Sequence, residues 1–348
     1  MSRVDLGFLE KIDPCLLKSH YFPSKVGGKP AWLNLKQLPT TEELQCNICS
    51  QAMSFLCQVY APKEEEASCF HRTIFLFICR NVTCCVANEN QNLVVLRSQL
   101  PRVNDFYSTE PPNEDQKTDF DVGKYVNICE LCGSPATKHC SKCKKTSYCS
   151  REHQVTDWKL GHKTICGGDT KSKENVIKNE VLFDEWELEI EEEDIDDTKK
   201  EEITEEADER RLKEYEKLVE EGKAGTLTEV SDVDLQSHSA VDEDKVFTHF
   251  RKRINANPEQ VLRYNRGGEP LWVAAEPKPN EIPSCEFCNG PRQFEFQILP
   301  QLLYQLHENN LDWGTLAVYT CTNSCDAGPD YKREFIFKQD ITNAPQSD

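Results

Sequence analysis

The chain has 348 residues, with 60 Asp and Glu against 41 Lys and Arg, a formal net charge of −19. That excess of acid argues against generic binding to phosphate backbones, which calls for clustered Lys and Arg, and favours basic partners. Hydrophobic residues make up 38% and charged residues 29%, which reads as a folded part diluted by a charged one, and no apolar run approaches the roughly 20 residues of a membrane helix.

The opening "MSRVDLGFLEKIDPC" lacks the apolar core and small-residue cleavage site of a signal peptide. The protein is therefore expected to be soluble and made in the cytosol, and its expected location is the cytoplasm and nucleus. In such a reducing setting its 18 cysteines are expected to bind metal rather than form disulfides.

Residues 1–107 alternate short apolar, β-branched and aromatic runs with Pro and Gly. "SFLCQVYAP", "RTIFLFIC" and "NLVVLRSQL" read as strands of a mostly β unit. "STEPPNEDQKTD" is a Pro- and acid-rich connector. Residues 127–168 are organised by Cys and His, and residues 169–241 form an acidic linker expected to be largely disordered. Sixteen of the 26 residues from Asp184 to Glu209 are acidic, enough for self-repulsion to oppose compaction. Within it Trp186, Leu188 and Ile190 alternate with acids, which predicts a docked strand near 183–191 whose acidic edge faces a partner or solvent. "EEADERRLKEYEKLVEEG" predicts an exposed helix near 205–221. In residues 242–348, Val246, Phe250 and Ile254 recur every fourth position, as on an amphipathic helix. A second helical turn is expected over Gln260–Tyr264, followed by further strands.

The central spacing is Cys129-x2-Cys132-x7-Cys140-x2-Cys143-x5-Cys149-x3-His153-x8-His162-x3-Cys166. Eight thiol and imidazole donors in so short a segment suit two tetrahedral Zn²⁺ sites, whose binding supplies most of the folding free energy. Spacing alone also allows the pairs to be used sequentially. With every donor engaged no coordination position is left for water, which speaks against catalysis by these metals. Lys142, Lys144 and Lys145 read as a solvated face.

This stretch resembles a MYND zinc finger, on its two Cys-x-x-Cys pairs, Tyr148-Cys149, Gln154, Trp158, His162 and Cys166. The resemblance implies interleaved sites, Cys129, Cys132, Cys149 and His153 around one zinc, Cys140, Cys143, His162 and Cys166 around the other. His153 stands where the commonest pattern has Cys, a change of softness rather than of competence. The resemblance also implies binding of proline-containing peptides.

The two ends of the chain repeat each other. "GGKPAW" at 27–32 answers "GGEPLW" at 267–272, and Cys46-x2-Cys49 answers Cys285-x2-Cys288. Phe55 and Gln58 answer Phe294 and Gln297 at the same offsets from those pairs, and Thr73–Cys79 answers Thr315–Cys321, each with Thr six before Cys, with Cys84 and Cys325 following. This is a two-copy repeat split by an insertion. Cys46, Cys49, Cys79 and Cys84, and likewise Cys285, Cys288, Cys321 and Cys325, are candidates for a third and a fourth zinc site, the competing reading being buried thiols that pack as small apolar groups. The Gly-Gly-x-Pro-x-Trp element reads as a tight turn anchored by Trp, since no Gly-Lys-Ser/Thr follows to make a phosphate loop.

Duplicated flanks around such a finger resemble the programmed cell death protein 2 family. The carriers are "GGKPAWL", "CNIC", "LPRVNDFYS", "YCSREHQ" and "NPEQVLRYNRGGEPLWV" leading into "CEFC". The resemblance covers nearly the whole chain. It implies an α+β, mostly β fold, a pseudo-symmetric duplicated β-rich domain with an inserted two-zinc MYND module. It further implies an ATP-independent, dedicated chaperone, not an enzyme, for one newly made basic small-subunit ribosomal protein, the counterpart of the bacterial S-five protein. Strand addition at an exposed edge is one expected grip on that client. The alternative is a MYND-dependent adaptor or transcription cofactor.

Overall fold

In the computed structural model, described over residues 3–113, 120–167, 181–193 and 242–341, the chain is mostly β, with few helices. The strands are β1 (Asp5–Glu10), β2 (Lys25–Val26), β3 (Ser54–Tyr60), β4 (His71–Ile78) and β5 (Leu93–Leu100). The central module holds β6 (Lys138–His139), β7 (Ser147–Tyr148), helix α1 (Arg151–Asp157) and helix α2 (Lys163–Ile165). β8 (Trp186–Glu192), α3 (Asp242–Ala256), β9 (Leu262–Tyr264), β10 (Arg292–Ile298), α4 (Gln301–Gln305), β11 (Thr315–Cys321) and β12 (Tyr331–Gln339) follow. Ten of the strands close into one antiparallel barrel in the order β1-β8-β2-β3-β4-β5-β12-β11-β10-β9, while β6 and β7 make a separate hairpin. The expected helix near 205–221 and most of the acidic linker lie outside the described residues.

The strands read as apolar runs because both their faces are covered. On β4, Ile74, Leu76 and Ile78 point into the barrel core with Val95, Phe296 and Val318. Phe75 and Phe77 point outward into a second core beneath Trp32. Both β3 and β10 carry a bulge, between Phe55 and Cys57 and between Phe294 and Phe296. Each bulge turns the strand so that its next outward residue, Gln58 or Gln297, reaches a backbone segment lying outside the sheet.

Two sequence expectations are overturned. Gln260–Tyr264 is not helical: Leu262–Tyr264 pairs with β1 on one side and β10 on the other and closes the barrel. The pairing energy of two waiting edges outweighs the local preference of so short a segment. Gln260 instead caps α3, its Nε2 donating to the carbonyl of Asn257 at 2.8 Å. Closure also removes the free edge that strand addition needs: among the described residues the barrel has no edge strand.

Charge is buried inside. Arg72 on β4 and Glu295 on β10 lie on strands four places apart in the barrel order, both 0% exposed. Arg72 Nη2 donates to Glu295 Oε2 at 2.7 Å, and Tyr264 and Thr320 also donate to that carboxylate. Arg97 and Arg292 share Glu334 in the same way, at 2.6 and 2.9 Å. Removing one partner of such a pair strands the other charge in low dielectric. Glu295→Gln is expected to lower the unfolding free energy by about 3–5 kcal/mol, and Arg72→Met together with Glu295→Met by less, as read from urea unfolding. Burial would raise the Glu295 carboxyl, but Arg72 holds it down to about 2. Its folded pKa therefore lies below the unfolded value of about 4.3. The stability it contributes is present at neutral pH and is lost as pH falls from about 5 towards 2. Glu295→Gln should lose less stability across that window than the unchanged chain.

Candidate metal centres and the finger–barrel junction

The structure brings each of the four predicted quartets together. Cys46, Cys49, Cys79 and Cys84 form one cluster, and Cys285, Cys288, Cys321 and Cys325 another. In the central module Cys129, Cys132, Cys149 and His153 converge, and separately Cys140, Cys143, His162 and Cys166. That grouping is interleaved, not sequential. Within each quartet the donor atoms all lie within 4.8 Å of one another. The pairs Cys132–Cys149, Cys140–Cys166, Cys49–Cys79 and Cys288–Cys321 are 3.6, 3.8, 3.7 and 3.6 Å apart. A tetrahedral Zn²⁺ with Zn–S near 2.3 Å separates its sulfurs by about 3.7 Å, whereas a disulfide brings them to about 2.05 Å. The donor sets and spacings fit zinc.

A local feature that sequence inspection missed joins the four. After the first Cys of each Cys-x-x-Cys pair, the amide four residues on donates back to that Cys carbonyl: Ser50 to Cys46, Gly133 to Cys129, Lys144 to Cys140 and Asn289 to Cys285, at 2.8–2.9 Å. All four donors sit in the left-handed region, with φ between 55° and 72°. Ser and Lys are costly there, by roughly 1–2 kcal/mol each, so the outer pairs are built as the same strained knuckle as the central ones. The signal was in the spacing of the pairs, but Ser50 and Lys144 are residues that do not announce such a turn. The knuckle aims amides at sulfur. Gly290 N–H donates to Cys288 Sγ at 3.4 Å and holds that thiol down to about 7, the thiolate form a metal requires.

The remaining cysteines stand apart. Cys57 is buried in the barrel core and Cys69 is fully buried, while Cys15 is half-exposed. Cys85 lies outside its neighbouring quartet and faces the Asp312 carbonyl at 3.4 Å.

Each outer centre is braced by the last strand of the opposite half. Arg97 on β5 reaches the Cys325 carbonyl at 3.4 Å and its Sγ at 3.9 Å, and Gln99 donates to the Ser324 carbonyl at 3.0 Å. In return Lys338 on β12 donates to the Val86 carbonyl at 3.0 Å, and the Asp340 backbone N–H donates to Asn88 at 2.8 Å.

The Gly-Gly turns are held by matching glutamines. Gln58 Oε1 accepts from the Ala31 amide at 2.9 Å, and Gln297 Oε1 accepts from the Leu271 amide at 2.5 Å. Gly27 adopts φ 68°, and a Cβ there would stand 2.1 Å from the Asp184 carbonyl oxygen, so only glycine admits the segment leading into β8. Lys25 is buried beneath this turn, pairing with Glu185 and donating to the Lys29 carbonyl at 2.9 Å.

The central module rests on the first turn. Trp32 is fully buried, and its Nε1 donates to the Gly133 carbonyl at 2.8 Å. Lys29 donates to the Glu130 carbonyl, so the knuckle of Cys129 and Cys132 is fixed to the barrel. Inside the module Tyr148, fully buried, donates to Asp157 at 2.7 Å, and Ser150 caps α1 through the His153 amide at 3.1 Å.

A second feature is an acidic groove. Glu189 and Glu191 of β8, with Glu10, Phe8 and Glu259, line it, and the four glutamates are exposed. The predicted strand is thus a stave of the barrel, carrying its acids outward.

The sequence profile of the programmed cell death protein 2 N-terminal domain matches residues 3–114, that of its C-terminal domain residues 244–340, and that of the MYND finger residues 129–166. Programmed cell death protein 2 of Bos taurus is 43% identical over 98% of this chain and 97% of its own length. The Mus musculus protein is 41% identical over 98% of both chains. A Schizosaccharomyces pombe protein named "Probable 20S rRNA accumulation protein 4" is 34% identical over 95 residues, 24% of each chain. No solved structure is matched.

Trp32→Phe keeps an aromatic side chain, though a smaller one, and leaves the Gly133 carbonyl without its donor, the lost hydrogen bond costing about 1–3 kcal/mol. The expected result is faster hydrogen exchange over residues 129–136 with little change in β4 and β5. Unchanged exchange at the knuckle would show that the indole N–H does not hold the finger.

Proposed function

The chain belongs to the programmed cell death protein 2 family, and from that premise we propose that it is a non-catalytic, ATP-independent chaperone. Its client is a newly made basic small-subunit ribosomal protein, the counterpart of the bacterial S-five protein, and its work serves assembly of the small ribosomal subunit in the cytoplasm and nucleus. The observation that carries the reading is the outward acidic stave. Glu189 and Glu191, with Glu10 and Glu259, present carboxylates along a groove of a chain whose net charge is −19. Complementary charge speeds capture of a basic client and screens the surface it will later offer to RNA. The name of the fission-yeast relative, which concerns 20S rRNA, is in keeping with this role.

Within this reading the two ends of the chain are copies of one β unit, and the finger is an insertion between them. All four quartets hold zinc, and their function is structural because each supplies four protein donors. An adaptor role for the finger is the second reading. A shallow groove where Leu38 and Val126 meet Pro135 and Ala136 of the finger favours it, since a proline-containing peptide fits apolar walls of that kind.

Elemental analysis of the purified chain is expected to find about four zinc ions, and Cys49→Ser or Cys288→Ser about one fewer each. Two ions with both variants unchanged would return the outer cysteines to the role of buried thiols.

Co-translational purification followed by mass spectrometry should recover the ribosomal protein in stoichiometric amount, whereas chromatin factors alone would favour the adaptor. Because Glu187 and Glu189 belong to a barrel strand, deleting the acidic run would remove structure along with charge, so point reversal is the cleaner probe. Glu189→Lys with Glu191→Lys should weaken capture and flatten its salt dependence. Capture with the same salt slope refutes the electrostatic part.

A further inference from the structure

The outward faces of the two halves are covered very differently. On the first half Phe55, Phe75, Phe77, Val94 and Leu96 lie beneath Trp32 in one large core. The chain's own connector seals that core. Tyr107 reaches over and donates its hydroxyl to the Trp32 carbonyl at 2.9 Å, and Phe120, Val122 and Val126 pack behind it. Tyr331 meets the Trp32 ring edge-on at 5.2 Å, and Trp32 ends with no exposed surface.

The matching face of the second half is built from Phe294, Ala317 and Tyr319, with Trp272, Ile282, Phe335 and Phe337 packed against them. Trp272 stands where Trp32 does in the Gly-Gly-x-Pro-x-Trp element, and meets Phe337 edge-on at 5.8 Å. Here Trp272, Phe335 and Phe337 remain part-exposed, and among the described residues no counterpart of Tyr107 lies over them. The surface continues along β12 from the sealed face, since Tyr331 lies in the first core and Phe335 and Phe337 in the second.

The segment bordering this face is mainly acidic: between Gly267 and Pro291 the chain has Glu269, Glu276, Glu281 and Glu286, all exposed, against Lys278, while Arg333 stands half-buried on β12 between Tyr331 and Phe335. Glu269 precedes Trp272 by three residues, and Glu281 adjoins Ile282, which packs on the face.

We propose that the face formed by Trp272, Phe335 and Phe337 is the docking site for an extended basic segment of the captured ribosomal protein, one that places an aromatic side chain over Trp272. The inference rests on the chaperone reading above. The chain's own connector shows what chemistry covers such a face: an extended segment whose tyrosine lies against the tryptophan. The acidic rim selects a basic version of that segment, and part-exposed aromatics of this kind supply the anchor pockets of protein interfaces. Closure of the barrel leaves side-chain faces, rather than strand edges, as the surfaces open to a client.

The test uses the full-length chain co-expressed with the ribosomal protein, with benzoylphenylalanine placed at Phe335, at Phe337 or, on the acidic stave, at Glu189. Ultraviolet irradiation is expected to join the ribosomal protein to positions 335 and 337. A second arm uses Phe337→Asp, whose zinc content and melting temperature are measured alongside, and binding is expected to weaken about tenfold or more. Crosslinks confined to position 189, or undiminished binding by a folded Phe337→Asp, overturn the docking site while leaving the chaperone reading in place. An unchanged chain that recovers no ribosomal protein overturns the chaperone reading, and this site with it.

Discussion

A guanidinium from one half of the barrel faces a carboxylate from the other in the buried interior, and the remainder of the fold depends on that meeting. Arg72 and Glu295, 223 residues apart and both fully buried, are tolerable only together, because either one alone would be a bare charge in low dielectric. Neither half can therefore complete its core in isolation. β12 adds to this by pairing with β5 through residues 331–334 and with β11 through residues 335–339, so the seam between the halves runs along one continuous strand. Whatever lies between the halves in sequence has to leave and return at the barrel wall, and the MYND finger does so against Trp32.

The outer cysteine quartets extend the same dependence outward. Arg97 and Gln99 grip the loop of Cys325, and Lys338 and Asp340 grip the loop beside Cys85. Each outer quartet is thus tethered by a strand of the opposite half. An ion holding the four thiolates of such a quartet would join two loops into the anchor for a strand contributed by the other end of the chain, which links metal affinity to folding of the whole barrel rather than of a local ribbon. The finger is joined less symmetrically, through Trp32 and Lys29 to the knuckle at Cys129, and its second quartet is further along the chain from those contacts.

What could be read from sequence follows the stringency of the chemistry. Metal ligation demands particular residue types at particular spacings, so all sixteen candidate donors were legible, although the interleaving came from the resemblance to a MYND finger, since spacing alone fits either grouping. Gln58 and Gln297 were visible as a matched offset, but a glutamine in a strand gives no hint that it will hold the backbone of Ala31 or Leu271. Arg72, Arg97, Glu295 and Glu334 were invisible as core residues because charge in a strand reads as solvent face, and only the partner across the barrel reverses that. Leu262–Tyr264 was misread as helical for a similar reason: three residues carry too little period to declare a strand, and their conformation is set by the edges of β1 and β10 on either side.

These constraints also limit how the protein can hold another. The barrel interior is filled by its own core, from Val26 to Ile336, and its strands pair all the way round. Under the chaperone reading a client would meet side chains on the outside, and two kinds are available. The acids of β8 supply attraction that acts at a distance and weakens with salt. The aromatic face beside Trp272 supplies contact that is short-ranged and specific in shape. A basic protein drawn in by the first and registered by the second would be held without any cavity, nucleotide or moving part, and its release would need nothing more than a surface that competes for the same charge, as ribosomal RNA does.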